Sequence, residues 1–217
     1  MAALLVLLGA LTPVWAQPSA FERAWLARPR QPLTGAIGAT GAANVSVVTF
    51  LDWQCPTCRA AERAYAPVFA DIQRRHPGVL AVETRDYPLN TACNPHVPVN
   101  LHSAGCEAAV AVRLAREHNR AAEMIAWLFD RQESLTPGVV RDAAVAVGRV
   151  PDVAARYDAV LRDVAVDVAE AHRAGVTSTP SYFINGILAR GDNGRLFSAD
   201  EMRQAIEIER SRKGQHP

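Results

Sequence analysis

The sequence predicts an α/β fold, a mixed sheet interrupted by a helical insertion, and three observations predict it. A β-branched run, Val45-Ser46-Val47-Val48-Thr49-Phe50-Leu51, feeds into Cys55-Pro56-Thr57-Cys58, where a helical pattern begins. Later come about seventy residues of Ala-rich, charge-flanked sequence with helical spacing. Beyond Pro180 the pattern reverts to strands, Ser181-Tyr182-Phe183-Ile184 and Ile187-Leu188-Ala189, joined by the tight-turn pair Asn185-Gly186.

Each element follows from local chemistry. Pro56 suits the first turn of a helix, where a missing N–H leaves nothing unpaired. Ala61, Tyr65, Val68, Phe69 and Ile72 then recur at helical spacing to Arg75, with Pro67 predicting a kink. His76-Pro77-Gly78 stops this helix, and Val79 to Tyr87 reads as a second strand, far enough away for a parallel crossover. Pro88 to Leu101 is a long polar loop. Helices are expected over Glu107 to His118, Ala121 to Gln132, Thr136 to Gly148 and Asp152 to Arg173. Ser198 and Glu201 form a capping box for a last helix.

Composition bounds the organisation and the function. With 217 residues, 49% of them hydrophobic, the chain can bury a full core as one domain, with or without an insertion. Lys and Arg total 23 against 22 Asp and Glu, and the basic residues are scattered, so no field recruits nucleic acid. No charged side chain occurs before Glu22, and Ala2 to Leu11 is almost wholly apolar. Residues 1–16 therefore read as a signal peptide ending at Val14-Trp15-Ala16 or as a short membrane anchor, although the usual positive n-region is missing. Residues 17–43 read as a lead-in loop, 44–212 as the folded domain with its insertion over about 95–175, and 213–217 as a tail. Export would put the chain where disulfides persist.

Cys55 and Cys58 carry the sharpest chemical signal. Their spacing brings the sulfurs within bonding reach, and Cys55 caps a helix whose unpaired N–H groups and dipole favour thiolate. Cys55 is thus the expected attacking sulfur and Cys58 the resolving one. Structural zinc would need a second matching pair, and no second CxxC exists. Thr179-Pro180, before the strand Ser181 to Ile184, is the second signal. A cis bond there would present the Thr179 backbone to a substrate strand beside the catalytic sulfur.

Two segments, Phe50-Leu51-Asp52-Trp53-Gln54-Cys55-Pro56-Thr57-Cys58-Arg59 and Gly175 to Gly186, resemble the DsbA-like branch of the thioredoxin superfamily. The resemblance covers about residues 40–212 and implies a thioredoxin-like fold with a helical insertion between the CxxC βαβ unit and the cis-Pro β-hairpin. It implies periplasmic disulfide exchange, a nucleophile at Cys55, a resolver at Cys58 and a cis-proline loop at Thr179-Pro180. Two departures stand out. Thr49 occupies the place of a buried acid, leaving Asp52 as either a proton relay or an exposed strand-end carboxylate. Pro56-Thr57 lacks the histidine that would stabilise a thiolate, implying a milder oxidant. Trp53 is either core or a flat surface for peptide contact.

Cys93 and Cys106 form a second pair. Tyr87 to Asn94 and Ala104 to Ala109 resemble thioredoxin-like domains fused to bacterial vitamin K epoxide reductase homologues. That likeness implies a membrane redox partner of this family, in trans or in a longer parent chain. The pair reads as a structural disulfide, a second redox pair or, with His96 and His102, a metal set.

The expectation is an exported, extracytoplasmic or periplasmic thiol-disulfide oxidoreductase, working as a dithiol oxidase and needing no cofactor beyond its cysteines. Its expected partners are reduced or unfolded exported proteins and a quinone-linked membrane partner, vitamin K epoxide reductase-like or DsbB-like. The alternatives are a reductase or isomerase of the same compartment, or a non-catalytic metal-binding module.

Overall fold

A computed structural model describes residues 17–33 and 44–213, so the expected leader or anchor over 1–16 and residues 214–217 lie outside the described residues. The elements are α1 (Ala20–Leu26), β1 (Val45–Leu51), α2 (Pro56–Arg75), β2 (Leu80–Asp86), α3 (Gly105–Glu117), α4 (Ala121–Asp130), α5 (Pro137–Ala146), α6 (Val153–Arg173), β3 (Ser181–Ile184), β4 (Ile187–Leu188) and α7 (Ala199–Lys213). A 3-10 turn, Gln132–Ser134, follows α4. Among the described residues, no helix is long and apolar enough to cross a membrane.

The sheet order is β2-β1-β3-β4, with β1 parallel to β2 and antiparallel to β3. β1 is central, and its alternation sends Val45 and Val47 to one face, Val48 and Phe50 to the other. The first face packs against α1, α2 and α7 through Tyr65, Phe69, Ile72, Met202 and Ile206. The second packs against α3 to α6, whose Ala- and Val-rich faces let the helices approach closely. Two cores thus share one sheet, and the CxxC segment leaves it at the carboxyl end of β1. Where α2 meets Pro67 it continues as one helix.

Buried charge ties the insertion to the sheet. Arg85 on β2 pairs with Glu170 of α6 and with Glu83 at 2.7 Å. Arg113 of α3 pairs with Asp86 at 2.6 Å and with Asp167 of α6. Such pairs set which helix faces the strand more than they add stability, because desolvation offsets much of the attraction.

The lead-in expected as loop is corrected by α1. Ser19 caps it, accepting the Glu22 N–H at 3.0 Å. Trp25 is fully buried and donates its indole N–H to Glu209 of α7 at 2.9 Å. Arg30 grips the same carboxylate through two bonds, at 2.9 and 3.0 Å, and bridges to Ile187 of β4. Seven residues are too few for a helical period to show in sequence, and beyond its Ser19 cap the partners that hold α1 against the fold are distant in the chain.

The hairpin turn needs left-handed backbone at Asn185 (φ 46) and Gly186 (φ 81). A side chain at Gly186 would also strike the Gln31 carbonyl, 2.5 Å from a Cβ there. Glycine is therefore required twice over, by conformation and by the strap laid across the hairpin.

Candidate active site

Cys55 is the N-cap of α2, in extended backbone, with Pro56 opening the helix. Its N–H bonds back to the Asp52 carbonyl at 3.1 Å, turning the chain from strand into helix. Both Cys55 and Cys58 are buried free thiols, with 5% and 1% of their surface exposed. Thr179-Pro180 is cis and precedes β3, and the Cys55 thiol faces the Thr179 carbonyl at 3.7 Å. β3 pairs with β1, which explains why residues so far apart in sequence meet here.

The two sulfurs differ sharply. The Cys55 thiol is lowered to about 6, first by a hydrogen bond from the Cys58 side chain, against burial, with help from the Cys58 main chain and Thr179. Cys58 is pushed well above its ordinary value, first by burial and then by the Cys55 sulfur beside it. The Thr179 hydroxyl is buried and has no partner of its own, so it is available to an ionised sulfur. An attacking thiolate next to a thiol held protonated can perform stepwise disulfide exchange.

Asp52 is buried rather than exposed, which removes the strand-end reading of this acid. One carboxylate oxygen accepts the Gln54 N–H at 2.7 Å. The other accepts the Leu89 N–H at 2.6 Å and faces His102 Nδ1 at 2.8 Å. Trp53, expected among the substrate-binding residues, is corrected to core. Only 4% of it is exposed, its indole N–H bonds Asp86 at 2.9 Å, and its ring packs on Phe129. A side chain satisfied on every side offers no face to a peptide.

Cys93 and Cys106 are joined in a disulfide. That overturns the metal set, since neither sulfur is left as a thiolate ligand. Its histidines are apart as well: His102 lies on Asp52, and His96 stacks on His172 with ring centres 3.7 Å apart. Among the described residues no cluster of His, Cys, Asp or Glu is arranged to hold a metal ion.

The roles of three residues at the site escaped the sequence reading, in which His102 figures only as a metal ligand. Gln132 donates to the Cys55 carbonyl at 2.8 Å and the Trp53 carbonyl at 3.3 Å, clamping the turn before α2 from the end of α4. Gln54 accepts the Ala104 N–H at 2.8 Å, tying that turn to the disulfide-closed loop. His102 reaches Asp52 from the same loop. Gln54 had proximity to Cys55 as a signal, whereas nothing in sequence pointed Gln132 or His102 to these partners, because their roles depend on tertiary placement.

A groove of about 580 Å³ runs along the first turns of α2. It is bordered by Pro56, Arg59, Arg63, Asp130, Arg131 and Glu133. Arg59 and Arg63 both reach Asp130, at 3.5 and 3.7 Å.

The thioredoxin family model matches residues 31–207, a span that includes the cysteine pair, the insertion and the proline loop. The chain belongs to the thioredoxin family. Within that family its fold is DsbA-like. α-DsbA1 of Wolbachia pipientis aligns with a TM-score of 0.57 at 15% identity, covering 78% of this chain and 87% of that one. BdbD of Bacillus subtilis aligns with a TM-score of 0.56 at 20% identity, covering 90% and 96%. In sequence, this thioredoxin-family chain is 29% identical over 183 residues to Na(+)/H(+) antiporter NhaA 1 of Mycolicibacterium vanbaalenii. The match takes in 82% of this chain and 27% of that protein, so the chain spans about a quarter of that relative's length.

Proposed function

We propose that this thioredoxin-family chain is an exported thiol-disulfide oxidoreductase that passes a Cys55–Cys58 disulfide to protein thiols, working as a dithiol oxidase. The observation that carries the reading is the free Cys55–Cys58 pair at the start of α2, with Cys55 capping the helix and its sulfur 3.7 Å from the Thr179 carbonyl of the cis-proline loop. The lowering of Cys55 to about 6 and the raising of Cys58 accord with it. Stabilising the thiolate stabilises the reduced protein, and a stable reduced form makes its disulfide oxidising. The Cys93–Cys106 disulfide and the uncharged, apolar first residues favour an extracytoplasmic setting.

The cycle begins with a substrate thiolate attacking the Cys55 sulfur. A substrate–Cys55 bond forms, the Cys55–Cys58 bond breaks, and Cys58 leaves with the electron pair and takes up a proton, for which the buried Asp52 carboxyl is the candidate relay. A second substrate thiolate then attacks the substrate sulfur of the mixed disulfide. Cys55 departs as thiolate, a good leaving group because its thiol is acidic. The substrate loses two electrons and two protons. A quinone-linked membrane partner, vitamin K epoxide reductase-like or DsbB-like, would take the electrons and restore the disulfide. Thr179 and Pro180 border the bound substrate, and the arginine-lined groove beside α2 gives its chain a path.

Oxidative refolding of a reduced, unfolded protein tests the reading. The wild-type chain with its disulfide formed should oxidise substrate thiols, and Cys55→Ser and Cys58→Ser should each abolish this because neither can form the donor disulfide. Cys58→Ser offered a disulfide-bonded substrate should be trapped as the Cys55 mixed disulfide, releasing one substrate thiolate. Intact activity in Cys55→Ser would refute the assignment. Acceleration of disulfide reduction or reshuffling alone would redirect it to a reductase or isomerase.

A further inference from the structure

His102 belongs to a loop that the Cys93–Cys106 disulfide closes and that Asn90, just before the loop, fastens from its base. The Asn90 amide donates to the carbonyls of His102 and Ser103, each at 3.0 Å, and the His102 N–H reaches the Leu89 carbonyl at 3.1 Å. The loop sets the imidazole against a carboxylate whose side chain is fully buried. At the start of α3, Gly105 lets the chain pass close, since a Cβ there would stand 3.0 Å from Asp52 Oδ2.

This carboxylate creates an electrostatic problem for the nucleophile. The charge of Asp52 acts against a thiolate at Cys55, and in a buried site there is little water to screen it. Other ionisable groups around the pair are committed elsewhere. Asp86 is held by Trp53 and Arg113, Arg59 reaches Asp130, and the Tyr182 hydroxyl on β3 is buried without a partner, its pKa raised by that burial so that it brings no charge. His102 is the group here placed to bring positive charge to Asp52. Its burial opposes protonation, but the bond and charge of Asp52, together with Cys55, outweigh that and raise its pKa.

We propose that His102 is a positioning residue for disulfide exchange: its protonated ring neutralises the Asp52 carboxylate, so that the Cys55 sulfur faces a neutral pair instead of a lone negative charge. The proposal rests on the exchange reading above. It also gives the second disulfide a part in reactivity, because the loop it closes is the one that delivers the imidazole. No proton needs to leave the Asp52–His102 pair for this effect.

Alkylation of Cys55 in the full chain, followed by mass spectrometry of its peptide across pH, separates this role from a merely structural one. The wild type should show a midpoint near 6. His102→Gln keeps a donor for Asp52 but loses the charge, and should raise the midpoint by about one unit, slowing alkylation roughly five-fold at pH 6. In an Asp52→Asn background the same substitution should leave the midpoint unmoved, because the charge to be cancelled is gone. A folded His102→Gln protein with an unshifted midpoint would overturn the proposal, as would an equal shift in the Asp52→Asn background. A wild-type midpoint near the ordinary thiol value would instead sink the exchange reading itself, so the two failures are distinguishable.

Discussion

At the scale of single residues, reactivity comes from inequality between two chemically identical side chains. Cys55 sits at a helix start with donors directed at it, while Cys58 lies one turn deeper, where burial dominates. With a thiol at about 6, Cys55 is mostly thiolate at neutral pH, whereas an unperturbed thiol is only a few per cent ionised. Iodoacetamide at pH 7 should therefore modify Cys55 first and leave Cys58 largely unmodified in the folded protein, which peptide mapping checks. The CxxC spacing and the Pro56 helix start were legible in sequence because both are local. The fates of Asp52 and Trp53 were not. Alternation along a strand does not say what lies beyond its end, and here Leu89 and His102 of the following loop cover Asp52 while Phe129 near the end of α4 packs on Trp53.

At the scale of elements, long-range partners decide what the local pattern leaves open. The strands, the capping box and four insertion helices follow their periodicities, because each buries one face on a ready surface. α1 carries no such pattern, and its single buried anchor is Trp25. Trp25→Ala should cost on the order of 3 to 5 kcal/mol in denaturant unfolding while leaving Cys55 alkylation unchanged, since α1 lies on the sheet face opposite the insertion. The loop between β2 and α3 depends on its disulfide, which spans a separation of 13 residues. Replacing Cys93 and Cys106 together with Ala should lower stability by about 3 kcal/mol in the chain-entropy picture. Chemical denaturation of the double variant checks that loss.

At the scale of the whole molecule, the chemistry of the site becomes a stability difference between two redox states. A thiol whose folded pKa is depressed contributes stability that is fully present above its unfolded value, here 9.0, and is lost as pH falls through about 6. The reduced protein should accordingly gain stability relative to the oxidised form as pH rises from about 6 toward 9, read as a widening gap between their melting temperatures. His102 contributes with the opposite sign. Its folded pKa is raised, so its share is present below the ordinary histidine value and lost as pH rises through the raised one. Cys55 adds to that raised value only as a thiolate, and Cys58, whose folded value is raised, titrates only in the reduced form, so the gap between the redox states reads Cys55 together with these couplings. The most direct test of the central claim is the reduction potential of the Cys55–Cys58 couple, measured by equilibration in glutathione buffers. A Cys55 thiol at about 6 lies between those of strongly oxidising and reducing members of this fold. A reversible couple between roughly −270 and −120 mV, toward the oxidising end, is the predicted result. A potential at or below about −270 mV would contradict the oxidase direction, and the absence of any reversible couple would contradict the exchange function altogether.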